Sequence, residues 1–69
     1  METTEERRAE LVAARDAFRA ARDAYQAARA EELAATTPGA RAGCYAVAML
    51  RARAMGSAEE RYAAAMDAL

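Results

Sequence analysis

The sequence predicts an all-α, antiparallel, Ala-rich helical hairpin, and three observations carry that prediction. Heptads run AARDAFR at 13–19, AARDAYQ at 20–26 and AARAEEL at 27–33, and a seven-residue repeat returns side chains to one helix face. A single break, Thr36-Thr37-Pro38-Gly39, divides 69 residues into two stretches of similar length. Alanine, the strongest helix former, fills about a third of the positions. The chain therefore reads as one domain, 1–69, with helix 1 over about 4–35, a turn at 36–39 and helix 2 over about 40–68.

Helix 1 begins at Thr3 or Thr4. Thr3 and Glu6 have capping-box spacing, and Glu5 and Glu6 suit the positive end of the helix dipole. Nothing interrupts it before Ala35, so it spans ~45 Å at 1.5 Å per residue, too long to hold by propensity without a neighbour. The repeat sorts its side chains into columns: Leu11, Phe18 and Tyr25; Ala14, Ala21 and Ala28; and Arg8, Arg15, Arg22 and Arg29.

The turn follows from Pro38, which lacks a backbone donor and biases Thr37 away from the α region. Thr37 as N-cap with Pro38 in the first helical position also starts the next helix. Helix 2 has one weak point, Met55-Gly56-Ser57, where Ser57 and Glu60 form another capping-box pattern, and one kinked or continuous helix is expected there rather than two separate ones. Against a full break, Ala48, Met55, Tyr62 and Leu69 keep seven-residue spacing through the glycine. The expected packing set is thus Leu11, Phe18, Tyr25, Ala48, Met55, Tyr62 and Leu69.

With the turn at Pro38-Gly39, the numbers of facing residues add to roughly 77, as in an αα-hairpin. This sets Leu11 against Met66, Arg15 against Tyr62, Phe18 against Glu59 and Tyr25 against Ala52, with ion pairs Asp16–Arg61 and Asp23–Arg53. The alanine columns let the helix axes approach to the lower end of the ~8–10 Å range, and Gly43 is expected to permit close contact near the turn. The apolar arc of helix 1 extends through Ala13, Ala17, Ala20, Ala24 and Ala27. That is wider than one seam uses, so the expectation is a homodimeric four-helix bundle, with a foreign partner able to use the same surface.

Composition narrows the function. A net charge of -1 with both signs spread along the chain lacks the concentrated positive face of a nucleic-acid binder. No His is present, which removes the commonest zinc ligand, the Glu-x-x-His motif of di-iron bundles and the usual base for activating a thiol. Cys44 reads as a small seam filler. The acid pairs Glu5/Glu6, Glu31/Glu32 and Glu59/Glu60 diverge around a helix and suit solvent or helix ends. No phosphate loop, dinucleotide fingerprint or nucleophile elbow occurs. The expectation is no catalytic residue, no metal and no cofactor.

One Cys, no secretory pattern and no apolar stretch of ~20 residues point to a cytoplasmic protein without membrane contact. The use of Arg without Lys, beside abundant Ala, fits a GC-rich bacterium or its phage.

Candidate partner-binding residues are Arg15 and Arg22, which have no carboxylate at i±3 or i±4, together with Arg41, Tyr45, Met49, Leu50 and Arg53 near the turn. Aromatic, Met and Arg side chains are the types enriched at interfaces. The expected function is a small non-enzymatic protein–protein interaction module that occludes or modulates a larger macromolecular partner, such as a phage or mobile-element inhibitor of a host complex. The alternatives are a nucleic-acid-linked, antitoxin-like dimer using the Arg row, and a purely structural oligomeriser.

Overall fold

The computed structural model describes residues 2–69 and consists of α1 (Thr4–Ala34) and α2 (Pro38–Asp67), packed antiparallel along their length. Both expected starts are present. The Thr3 hydroxyl accepts from the Glu6 N–H at 3.1 Å while the Glu6 carboxylate accepts from the Thr3 N–H at 3.3 Å, closing the capping box. The Thr37 hydroxyl accepts from the Ala40 N–H at 3.2 Å, with Pro38 at the head of α2. The turn is therefore tighter than 36–39, because Pro38 already has the helical φ and Gly39 belongs to the helix.

The last turn of α1 carries no basic residue of its own, and α2 supplies one. Arg41 Nε donates to the Ala35 carbonyl at 3.2 Å, placing a cation at the negative end of α1. Helix α2 then runs unbroken through Gly56 to Asp67. Ser57 is helical rather than a cap, so no break occurs, because the packing of Met55 and Tyr62 on one seam outweighs the ~1 kcal/mol that a mid-helix Gly costs.

The seam follows heptads on both helices. On α1 it uses Leu11, Ala14, Phe18, Ala21, Tyr25, Ala28 and Glu32, followed by the C-cap Ala35; on α2 it uses Cys44, Ala48, Met55, Ala58, Tyr62 and Ala65, each at least half-buried. Among the described residues only Ala14, Ala28, Ala48 and Ala65 are buried, and no large side chain is. Alanine at the contact lets the helices close up. The hairpin is 53 Å long with transverse Cα extents of 13 and 12 Å. Subtracting a Cα cylinder ~4.6 Å wide leaves the axes no more than about 8–9 Å apart. Large neighbours are consequently squeezed outward: Phe18 and Tyr62 stack with ring centroids 6.2 Å apart, each still partly exposed.

Several expected details differ. Phe18 meets Tyr62 rather than Glu59. Arg61 pairs with Glu10, not Asp16, and Asp23 pairs with Arg22, not Arg53. The reason is helical phase: Asp16, Asp23 and Arg53 occupy the positions farthest from the seam, where matching residue numbers cannot bring side chains together. Leu69 lies beyond the end of α2 and is 60% exposed, so it leaves the packing set. Gly43 is exposed, and a Cβ there would meet nothing within 4 Å, so it makes no close helix contact. Cys44 is half-buried on the seam.

Candidate functional site

Two edges flank the seam, and their side chains differ in kind. On α1 one flanking column is Glu10, Ala17, Ala24 and Glu31; the other is Arg8, Arg15, Arg22 and Arg29. Flanking positions of an antiparallel helix pair meet their counterparts on the same side, so a single cross-hairpin contact fixes which columns of α2 belong to which edge. That contact is Glu10 with Arg61. The Arg61 Nε and Nη2 donate to the two Glu10 carboxylate oxygens at 2.7 and 3.0 Å, a two-pronged charge-assisted bond. The hydrogen bond from Arg61 holds the Glu10 carboxyl below its ordinary range, and the same bond raises Arg61.

Arg61 shares its column with Val47, Ala54 and Ala68, which therefore line the Glu10 side. Together with Ala13, Ala17, Ala20, Ala24, Ala27 and the outlying Leu50 they form an alanine edge. The opposite edge joins the Arg column of α1 to Tyr45, Ala52, Glu59 and Met66 of α2, with Met49 and Gly56 directly behind them. This arginine edge brings together four of the seven expected partner-binding residues: Arg15, Arg22, Tyr45 and Met49. The other three lie elsewhere. Leu50 backs the alanine edge, Arg53 points away from the seam, and Arg41 is bonded to the α1 terminus.

The arginines are only lightly committed. Arg15 and Arg22 each reach the Asp next in sequence at 3.4 Å, with guanidinium side chains 41% and 47% exposed. Exposed pairs of that kind are worth ~0–1 kcal/mol and exchange readily for a better partner. Arg29 instead pairs with Glu32, a carboxylate seated on the seam near the turn. Beside this row Tyr45 is 52% and Met66 49% exposed, and Val12 and Leu33 stand behind it on α1, Leu33 being 76% exposed. Large apolar side chains interleaved with arginine are the composition of an interface centre rather than of an ordinary solvated face.

Residue numbers alone missed the Glu10–Arg61 clamp and the Glu32 position. The signal that finds both is heptad phase: Glu10 and Arg61 fall one step before seam residues Leu11 and Tyr62, and Glu32 continues the Leu11, Phe18, Tyr25 column.

Among the described residues no group of His, Cys, Asp or Glu side chains is arranged to hold a metal ion, and no helix is long and apolar enough to cross a membrane. No family model, curated protein or solved structure matches the chain.

Proposed function

We propose that this chain is a small non-enzymatic protein–protein interaction module, working in a bacterial cytoplasm or an infected host cell, that acts by occupying a surface of a larger protein or complex. A phage or mobile-element inhibitor of a host assembly is the kind of protein that works this way. In its working form the hairpin is read as half of a homodimeric four-helix bundle. The observation that carries the proposal is the arginine edge, where Arg15 and Arg22 stand free to exchange partners beside exposed Tyr45 and Met66 and half-buried Met49. The chemistry suited to that edge is an apolar groove rimmed by carboxylates, which would accept the guanidinium forks in two-pronged bonds and cover the aromatic and thioether side chains.

Affinity capture from native lysate, with parent and edge variants compared side by side, tests the reading. The parent is expected to retain a defined protein or complex that both Arg15→Glu/Arg22→Glu and Tyr45→Ala/Met49→Ala variants lose. Equal retention by all three would overturn it. Recovery of nucleic acid that disappears with added salt would favour the regulator alternative instead, which Asp16 and Asp23, bonded to Arg15 and Arg22, disfavour.

A further inference from the structure

A hairpin of this mass exposes more surface than a self-sufficient fold does. The accessible area is 5045 Å², whereas a compact monomer of 7.4 kDa exposes about 4,200 Å². The radius of gyration, 15.8 Å, likewise exceeds the ~11 Å of a compact chain of this length. The exposed large apolar side chains of α2 include Val47, Leu50 and Met66, on different faces of that helix.

We infer that a second copy of this chain seats on the alanine edge, over Val47, Leu50, Ala54 and the outer alanines of α1, to complete the four-helix bundle. Size is the first argument. A face 53 Å long and 13 Å wide has a footprint of about 700 Å² per copy before side chains widen it, enough to enter the ~1,200–2,000 Å² total of a stable interface. Charge is the second and chooses between the edges. The alanine edge carries one charge pair, Glu10 with Arg61, and one further acid, Glu31, so covering it takes few charges out of water. The arginine edge carries Arg15, Arg22 and Arg29, ion-paired with Asp16, Asp23 and Glu32 respectively, together with Glu59, and covering it with a second copy would take all of these charges out of water. Smooth alanine surfaces also permit the close approach already seen in the intramolecular seam.

This inference rests on reading the hairpin as half of a bundle and adds which edge the bundle consumes, leaving the arginine edge outward. The experiment is light scattering over a concentration series under reducing conditions, combined with alkylation rates of single cysteines placed at Ala54 or at Ala46 in a Cys44→Ala background. The parent is expected to double in mass. Ala20→Glu/Ala27→Glu is expected to stay helical and monomeric where the parent is dimeric. Alkylation at position 54 should slow at least tenfold as the dimer forms, while position 46, which points away from the seam, keeps its rate. A parent dimer in which position 54 is unprotected overturns the choice of edge but leaves the bundle standing; a parent that stays monomeric at millimolar concentration overturns both. Should the glutamate variant lose its helix, the alkylation ratio, read on the unperturbed edge, decides alone.

Discussion

Enlarging one buried alanine gives a sharp test of the seam. Ala48 has no exposed surface and lies on the seam of α2, as Ala28, 5% exposed, lies on that of α1. Ala48→Leu adds three carbons there. In a slack seam those carbons would add roughly 0.8 kcal/mol of stability each as they were buried. In a seam held at alanine spacing they push the helices apart or force unfavourable rotamers, which costs ~1–3 kcal/mol. Leu and Ala differ little in helix propensity, so packing sets the sign. With an unfolding entropy of ~2.1 cal/mol/K per residue, each kcal/mol moves the midpoint of a chain this size by about 7 °C, so the drop should be about 7–20 °C. Circular dichroism melts at one fixed protein concentration measure it, with Ala46→Leu, on the exposed outer face, as a control that stays near the parent. A raised midpoint for Ala48→Leu, or an equal fall for both variants, would show that alanine spacing does not set the helix separation.

Three further expectations follow from individual residues. Phe18→Ala should cost about 2 kcal/mol in urea titration, less than the ~3–5 of a fully buried Phe, because the ring beside Tyr62 is mostly but not fully buried; a loss within error of zero would remove the stacked pair from the seam. Gly56→Ala should raise stability by ~0.5–1 kcal/mol, since the position is helical and a Cβ meets nothing within 4 Å, and a lowered urea midpoint would contradict the unbroken helix. The Glu10 carboxyl is lowered by its bond to Arg61, so its contribution is complete above the ordinary value of 4.5 and fades as pH falls through the lower folded value. Parent and Glu10→Gln should therefore differ in midpoint at neutral pH and converge in acid; a gap that widened on acidification would be inconsistent with the bond.

The fold was largely legible in the sequence because its determinants are local. The Thr3/Glu6 box, Thr37-Pro38 and the heptads each act within a few residues, and each appears where expected. Gly56 could have been read either way, and the seam residues on both sides of it decided the outcome. The ion pairs were harder. A sum rule on residue numbers sets the level along the hairpin but ignores angular phase, so it matched Asp16 with Arg61 although Asp16 points outward, and overlooked Glu10, which sits beside the seam. Burial depth was misjudged for a related reason. The expected packing residues Leu11, Phe18, Tyr25 and Tyr62 do lie on the seam, but alanine contacts bring the backbones so close that bulky neighbours are displaced toward solvent. For the candidate site, Arg15, Arg22, Tyr45 and Met49 share an edge because heptad columns of two helices happen to meet there. That meeting depends on the side of the seam each column takes, which the Glu10–Arg61 bond reveals and one-dimensional spacing does not.

Both edges exist only if the two helices close on each other within one chain. The most direct test is a distance measurement between spin labels at Glu5 and Asp67, in labelled protein diluted with unlabelled. The hairpin predicts a single population within roughly 30 Å, label arms included, since the two positions stand side by side at the open end with axes ~8–10 Å apart. A population near 90 Å, the length of a single continuous helix over the same residues at 1.5 Å each, would contradict the hairpin and with it the assignment of side chains to edges.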